Sequence, residues 1–258
     1  MELKGASAIV TGGESGIGRA SAIALAKAGA NVTLTYFADA VAGQDTVAEI
    51  EKSGVKGLAV KCDVGNEDNV EALFASAEAA FGPVRLLVNS AGLNMTGIPF
   101  AKLEFAQFDR IIKADLYGPF FTCRRMVRGL DSANTHGGRI VNISSIHEHA
   151  PRAGGVAYDA AKGGVAQLTA TLALELAPRQ IAVNGIAPGM ILTPMNQSAI
   201  DDPQELARKE KAIPWGRAGT AEEVADLVVF MLSPQADYMT GTTVTIDGAL
   251  SLTVAQGA

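Results

Sequence analysis

Apolar and polar positions alternate along this chain on two length scales. Seven short runs are almost continuously apolar or β-branched, and longer stretches with helical spacing separate them. Continuous apolar runs are typical of parallel strands that are covered by helices on both faces. The predicted strands are residues 6–10, 32–36, 57–61, 85–88, 139–143, 181–186 and 243–246.

The first stretch between strands has the spacing of an amphipathic helix that ends at Gly29. Its apolar side is predicted to comprise Ile17, Ala20, Ala24, Leu25 and Ala28. Strands that alternate with helices imply right-handed βαβ crossovers. We therefore predict an α/β fold in which residues 1–258 form a single domain. Its core is a Rossmann-type, doubly wound, parallel sheet of seven strands with helices on both faces.

Residues 193–217 are the least regular part of the chain, with Pro194, Pro203 and Pro214 among many polar residues. They follow the end of a predicted strand, which is where open α/β sheets bind their ligands. This position favours a mobile substrate flap over a plain surface excursion.

Composition narrows the class of protein. Of the 258 residues, 48% are apolar and 19% are charged, as in a folded globular domain. The net charge of -6 and the absence of a basic stripe argue against nucleic-acid binding. A local cluster of Arg124, Arg125 and Arg128 is interpreted as a solvated or subunit-facing helix edge rather than a docking patch.

The two cysteines, Cys62 and Cys123, are too few for a disulfide framework and are predicted to be buried free thiols. The chain has no run of eighteen apolar residues, which argues against a membrane span, and its start lacks a signal-peptide pattern. We expect a soluble, cytoplasmic protein.

A glycine-rich turn at residues 11–18 follows the first strand and opens the first helix. Glycine permits a tight turn and the close approach of a pyrophosphate, and the helix N-terminus supplies free N–H groups. Such a turn alone is weak evidence, but its place in the first βα unit predicts a dinucleotide site.

Tyr158 and Lys162 lie four residues apart, so on a helix their side chains share one face. A tyrosine that acts as a base near pH 7 needs a pKa shift of about three units, or roughly 4 kcal/mol. An ammonium about 4 Å away supplies roughly 4 kcal/mol at an effective dielectric constant near 20. Lys162 is therefore chemically sufficient to activate Tyr158.

Several motifs occur together in the order that the short-chain dehydrogenase/reductase family shows, and the chain resembles that family over essentially its whole length. The motifs are Thr11-Gly12-x-x-x-Gly16-Ile17-Gly18, Asp63-Val64, Asn89-Ser90-Ala91-Gly92, Ser145, Tyr158-x-x-x-Lys162 and Pro188-Gly189.

The resemblance implies a separate catalytic role for each of three residues. Ser145 would hydrogen-bond the reacting oxygen, Tyr158 would be the general base or acid, and Lys162 would also hold the nicotinamide ribose. Asp115 stands where the family usually has asparagine. Its charge is expected to pair with Lys162 and weaken the help that Tyr158 receives, so we expect an active enzyme with a shifted pH optimum.

The resemblance also implies a cofactor site. Asp63 and Val64 would hold the adenine, residues 89–92 would line the adenosine ribose and brace the sheet, and Thr193 would meet the carboxamide or phosphates. The full predicted set is Gly12, Ser15, Gly16, Ile17, Gly18, Asp63, Val64, Asn89, Ala91, Gly92, Tyr158, Lys162, Pro188, Gly189, Ile191 and Thr193.

The end of the second strand favours NAD over NADP, because residues 35–39 contain no arginine or lysine. Glu14 in the glycine turn would repel a 2′-phosphate as well. Asp39 is either a ribose contact or, as we prefer, the cap of the next helix.

The segment after Ser145 contains His147, Glu148, His149 and Arg152. No metal site is predicted, because alternate residues on a loop do not make a defined cage. Polar contacts to a substrate are favoured over a metal site, and plain solvent exposure of these loop residues remains an equal alternative. The predicted substrate-binding set is Ser145, His147, Arg152, Tyr158 and Asn94, and Arg152 could engage an anionic substituent.

Within the family the chain looks most like bacterial glucose 1-dehydrogenases and related sugar dehydrogenases. The implied reaction removes a hydride from the anomeric carbon of an aldose to give a lactone. One alternative is a 3-oxoacyl-carrier-protein reductase, for which the arginine cluster would receive an acidic carrier. Another is a non-catalytic, dinucleotide-binding redox sensor, which only Asp115 favours. Helices around residues 108–128 and 156–176 resemble the subunit-packing helices of the family, which implies a homotetramer.

Overall fold

All seven predicted strands form, and they make one parallel sheet in the order β3-β2-β1-β4-β5-β6-β9. The computed structural model describes residues 3–94 and 96–255. A separate ladder of two short strands, β7 and β8, lies outside this sheet. The strands are β1 Ser7–Thr11, β2 Asn31–Tyr36, β3 Gly57–Lys61, β4 Val84–Asn89, β5 Gly138–Ile143, β6 Ile181–Pro188, β7 Ile191–Leu192, β8 Gly219–Thr220 and β9 Thr243–Ile246.

Helices connect the strands and cover both faces of the sheet, which confirms the Rossmann-type α/β fold. Leu25 of α1 and Val228 of α9 belong to one apolar layer, whereas Phe74 of α3 and Met126 of α5 belong to the other. The α-helices are α1 Gly16–Lys27, α2 Ala40–Glu51, α3 Glu67–Phe81, α4 Phe105–Ile112, α5 Gly118–Ser132, α6 Val156–Leu176, α7 Gln197–Ile200, α8 Pro203–Glu210 and α9 Ala221–Leu232.

Helix α1 forms where the pattern predicts it, and Gly29 follows its end with a φ of 99°. The most buried stripe, however, is rotated from the predicted one. Leu25 is fully buried as expected, but its buried companions include Ala22 and Ala26. The other predicted positions are partly buried against the same layer. Because α1 packs against both the sheet and α9, it buries more than one stripe.

The predicted helix at 108–128 is not continuous. A π-helical turn, Lys113–Tyr117, separates α4 from α5 and places Asp115 in the interior with 1% of its surface exposed. An extra residue in one helical turn rotates the side chains that follow it, and such turns are frequent at functional sites. Helix α6 has the predicted bounds.

Residues 193–217 are more regular than the sequence suggests, because α7 and α8 lie within them. Asp202 caps α8 by accepting hydrogen bonds from Gln204 N and Glu205 N. Flap behaviour of this segment stays a prediction.

From β1 the chain continues to β2 and then β3, toward one edge of the sheet. From β4 it continues to β5 and then β6, toward the other edge. Ligands of open α/β sheets bind at the carboxyl edge beside such a switch point. Within the described ranges 3–94 and 96–255, no helix is both long enough and apolar enough to cross a membrane.

Candidate active site

A cavity of about 520 Å³ opens at the carboxyl edge of the sheet. Residues that follow β1, β4, β5 and β6 line it, together with residues of the π-helical turn and α6. Most of the residues predicted to bind cofactor or to act in catalysis contribute to its wall. They are Gly12, Ser15, Gly16, Ile17, Gly18, Asp63, Val64, Ala91, Gly92, Asp115, Ser145, Tyr158, Lys162, Pro188, Gly189, Ile191 and Thr193.

The glycine turn has the shape of a phosphate cradle. Gly12 has a φ of +65°, and a Cβ there would lie 2.9 Å from Ala91 Cα. A Cβ on Gly18 would lie 2.0 Å from the carbonyl oxygen of Gly12. Ser15, at the N-cap of α1, makes no side-chain cap within the described residues, and the first turn of α1 holds no acidic residue. The leading N–H groups are thus available to an anion, and these residues fit the pyrophosphate of a dinucleotide.

Thr11 joins the glycine turn to the segment after β4. Its Oγ1 accepts hydrogen bonds from the N–H groups of Ser90 and Ala91 at 3.0 and 3.1 Å. These hydrogen bonds hold the ends of β1 and β4 together and fix the part of the cavity wall that lies between them.

Asn89 braces the sheet, which is one part of its predicted role. It is not among the described residues that line the cavity, because its side chain is buried and engaged in the sheet. Asn89 Nδ2 donates to Asn142 Oδ1 at 2.8 Å, and Thr122 Oγ1 donates to Asn89 Oδ1 at 2.7 Å. Asn142 in turn donates to Thr169 Oγ1 of α6 at 2.9 Å. The network braces β4, β5, α5 and α6 behind the site.

The three predicted catalytic side chains meet at the cavity wall. Ser145, Tyr158 and Lys162 are 6%, 8% and 6% exposed. Lys162 Nζ lies 5.4 Å from the centre of the Tyr158 ring and donates to the carbonyl of Ile143 at 3.2 Å. Ser145 Oγ accepts from His147 N at 3.2 Å, which leaves its own hydrogen free to donate.

Asp115 faces Lys162 across the cavity wall, as predicted from the sequence. Its Oδ2 lies 3.2 Å from Lys162 Nζ, and its Oδ1 accepts from Leu93 N at 2.7 Å. Burial raises the pKa of Asp115 against the opposing effects of Lys162 and the Leu93 N–H. Burial disfavours the lysine's charge, yet Asp115, Tyr158 and Glu148 raise the pKa of Lys162 above its usual value. The ammonium therefore persists beside the tyrosine.

The predicted substrate contacts occupy the segments next to this centre. His147 Nδ1 lies 2.7 Å from the carbonyl of Ala150, a distance that requires a proton on Nδ1 and leaves Nε2 as an acceptor. The rings of His147 and Tyr158 are 6.2 Å apart and edge to face. Arg152 Nη2 donates to Asn94 Oδ1 at 3.1 Å and joins two loops. His147, Arg152 and Asn94 are not among the described residues that line the cavity.

Some lining residues were not predicted. Phe37, Leu93, Arg110, Lys113 and Asn196 all contribute to the wall. A weak signal in the sequence indicated the contribution of α4, because Asp109 and Lys113 have the spacing of an i,i+4 ion pair. In the structure their charged groups lie 2.7 Å apart. Their position at the cavity depends on the π-helical turn.

Asp39 caps α2, since its Oδ1 accepts from Ala42 N at 2.9 Å. This confirms the preferred alternative for that residue. Both cysteines are buried free thiols, as predicted. Among residues 3–94 and 96–255, no group of three or more His, Cys, Asp or Glu side chains could hold a metal ion.

The arginine cluster on α5 is paired with acidic residues of α3. Arg124 pairs with Glu67, and Arg125 contacts Glu71 at 2.6 Å and Glu78 at 2.7 Å. These glutamates offset the positive charge of Arg124 and Arg125, which is the charge that an acidic carrier would need.

The family assignment is confirmed by comparison with known proteins. Residues 12–251 match the family model described as Enoyl-(Acyl carrier protein) reductase. The chain belongs to the short-chain dehydrogenase/reductase family and is an NAD(P)-dependent dehydrogenase.

Relatives span the length of the chain. It is 40% identical to 3beta-hydroxysteroid dehydrogenase 1 of Eggerthella lenta over 252 residues, which are 97% of this chain and 95% of that protein. It is 35% identical to glucose 1-dehydrogenase 2 of Bacillus subtilis over 97% of this chain and 96% of that one. The crystal structure of a putative gluconate dehydrogenase from Agrobacterium tumefaciens has a TM-score of 0.90 at 34% identity, covering 97% of each chain.

Proposed function

We propose that this protein oxidises a polar alcohol with NAD, and that its substrate is an aldose whose anomeric carbon becomes a lactone carbonyl. The observation that carries this proposal is the polar character of the segments beside Tyr158. His147 offers an acceptor nitrogen next to the tyrosine ring, and Arg152 and Asn94 offer further donors. A sugar needs several such groups around it. The relationship to a protein named glucose 1-dehydrogenase 2 supports the same class.

The side chains of the site would divide the chemistry as follows. Ser145 donates a hydrogen bond to the anomeric oxygen and holds it against the Tyr158 hydroxyl. Tyr158, in its deprotonated form, takes the proton from that oxygen. Lys162 stabilises the phenolate, because its ammonium is buried beside the ring. The bound nicotinamide supplies a hydride acceptor, so a lactone, a reduced cofactor and one proton are the products.

NAD is the proposed cofactor in preference to NADP. Glu14 lines the cavity. Its carboxylate can accept a hydrogen bond from a ribose hydroxyl, whereas a 2′-phosphate would be repelled by its charge. Phe37 lines the same cavity at the end of β2, where an arginine would favour NADP.

Three further features belong to this proposal. Residues 193–217 act as a flap, and Thr193, Pro194, Met195 and Asn196 already line the cavity. The protein assembles as a homotetramer through α5 and α6, and it works in the cytoplasm.

A substrate panel tests the proposal. Neutral aldoses, sugar acids, a 3β-hydroxysteroid and a β-ketoacyl thioester are offered with NAD(H) and NADP(H), and formation or loss of the reduced cofactor is followed by absorbance. We expect an aldose with NAD to give the highest kcat/KM. The steroid is included because of the Eggerthella lenta relative. A higher kcat/KM for the steroid or the thioester would contradict the proposal, and tight cofactor binding without any turnover would identify a sensor.

A second experiment tests whether His147 contributes to substrate binding. It compares His147→Ala with the matched control His149→Ala. Both histidines lie in one short segment, but only His147 contacts the Tyr158 ring, and the His149 side chain is 50% exposed. We expect His147→Ala to lower kcat/KM for the aldose at least about tenfold and His149→Ala to change it less than about twofold. Equal effects would contradict a substrate role for His147.

A further inference from the structure

Asp115 places a carboxyl group in the interior of the cavity wall. Its side chain is 0% exposed, and it lines the same cavity as Lys162 and Tyr158. Only Oδ1 is committed to a hydrogen bond, with Leu93 N. Oδ2 faces Lys162 Nζ at 3.2 Å in a direction that does not make a hydrogen bond, and it has no other partner among the described residues.

Lys162 supplies the positive charge beside Asp115, and Glu148 supplies a second carboxylate whose side chain is 10% exposed. The other charged residues of the cavity wall stay the same whether position 115 is aspartate or asparagine; they are Glu14, Asp63, Asp109, Arg110 and Lys113. With asparagine at position 115, the buried pair would be reduced to a single ammonium. With aspartate, the ammonium and the carboxylate cancel at long range, so the pair adds almost no net charge to the wall.

We propose that Asp115 makes the protein discriminate between the two redox states of its cofactor, binding the oxidised form more tightly relative to the reduced form than an asparagine would. The oxidised nicotinamide ring carries one positive charge that the reduced ring lacks, whereas the two adenosine ends are identical. A charge in the wall therefore changes the affinity of one form and leaves the other nearly unchanged. Only such a differential interaction shifts a preference between ligands.

The expected size follows from electrostatics. At a separation of about 10 Å and an effective dielectric constant of about 30, one unit charge changes a binding constant roughly sixfold. Because the oxidised cofactor binds more tightly while binding of the reduced one is nearly unchanged, the oxidised form competes better for the site and product inhibition of alcohol oxidation is reduced. The inference rests on nicotinamide binding by the proposed site and is independent of which alcohol is oxidised.

Binding of NAD+ and NADH without substrate tests the inference. NADH affinity is measured by its fluorescence, and NAD+ affinity by calorimetry, for the parent and for Asp115→Asn. We expect the variant to bind NAD+ about fivefold more weakly and to change its NADH affinity less than about twofold. Asp109→Asn is the matched control, because it removes the same charge from a more exposed part of the same cavity. It should change each affinity less than about twofold, because solvent and the nearby Lys113 screen the Asp109 charge.

Equal changes in both affinities for Asp115→Asn would overturn the inference, and so would an unchanged NAD+ affinity, which would indicate a protonated carboxyl. Thermal unfolding and circular dichroism establish that the variant is folded. Asp115→Ser, which removes the charge with a smaller side chain, provides the test if the asparagine variant does not fold. Since no alcohol is present, a failed substrate panel with an intact NAD+ effect separates this inference from the proposed sugar oxidation.

Discussion

Asp115 and Lys162 form a buried ion pair in which the carboxylate Oδ2 lies 3.2 Å from the ammonium nitrogen. The carboxylate opposes the field by which Lys162 stabilises the anionic form of Tyr158. It also raises the pKa of Lys162 in opposition to burial, so the ammonium persists to higher pH.

Asp115→Asn is expected to move the alkaline limb of the pH profile of kcat/KM for alcohol oxidation to lower pH. Asp115 raises the pKa of Lys162, so the lysine loses its proton earlier when the carboxylate is absent. Steady-state rates between pH 5 and pH 11, in about twelve steps, would measure this limb. Profiles that superimpose on those of the parent would leave Asp115 without a special role.

Tyr158→Phe is expected to lower kcat at least about a thousandfold, since a phenyl ring cannot transfer the proton. Cofactor affinity should change little, because the glycine turn and β-strand ends remain. Tyr238→Phe is the matched control, as the Tyr238 side chain is fully exposed to solvent. Turnover that survives in Tyr158→Phe would show that another group moves the proton.

Glu14→Gln is expected to relax the choice of cofactor. The carboxylate of Glu14 in the cavity wall would repel a 2′-phosphate, and the amide removes that repulsion at nearly constant shape. We expect kcat/KM for NADP to rise about tenfold while the value for NAD changes less than about threefold. Glu205→Gln, on the solvent-exposed helix α8, is a suitable control. An unaltered ratio of the two cofactors would place the discrimination elsewhere.

Cys62 and Cys123 are expected to resist thiol reagents in the folded protein. Burial raises the pKa of each thiol to about 12, so the reactive thiolate is scarce at pH 8. A colorimetric thiol reagent should label neither residue in buffer and both in guanidinium. Rapid native labelling would contradict the buried position, and Cys62→Ala would then identify the reactive residue.

Glu223 is expected to contribute to stability in a defined acid window. The ion pair with Arg217, followed by the Thr220 N–H, lowers its pKa to about 2 from an ordinary value of 4.5. A lowered folded-state pKa stabilises the protein above the unfolded-state value, and this contribution is lost as the pH falls from 4.5 toward 2. Glu223→Gln should therefore show a shallower loss of unfolding free energy over that window. Parallel pH dependences would contradict this assignment.

The sequence by itself determined the elements whose signals are local. Continuous apolar runs located all seven strands of the sheet, because a strand buried on both faces needs apolar side chains at nearly every position. The glycine turn was readable because Gly12 and Gly18 lie where no Cβ fits. Tyr158 and Lys162 were readable because a spacing of four residues places both side chains on one face of α6.

Only the tertiary structure decided how distant residues meet. It placed Asn89 in a buried network behind the cavity, divided the helix before α5 with a π-helical turn, and paired the arginines of α5 with glutamates of α3. It also placed Glu14 in the wall of the cavity. These contacts join residues that are far apart in the chain. Their geometry depends on how whole helices and strands pack, and the periodicity of a single segment does not predict that packing.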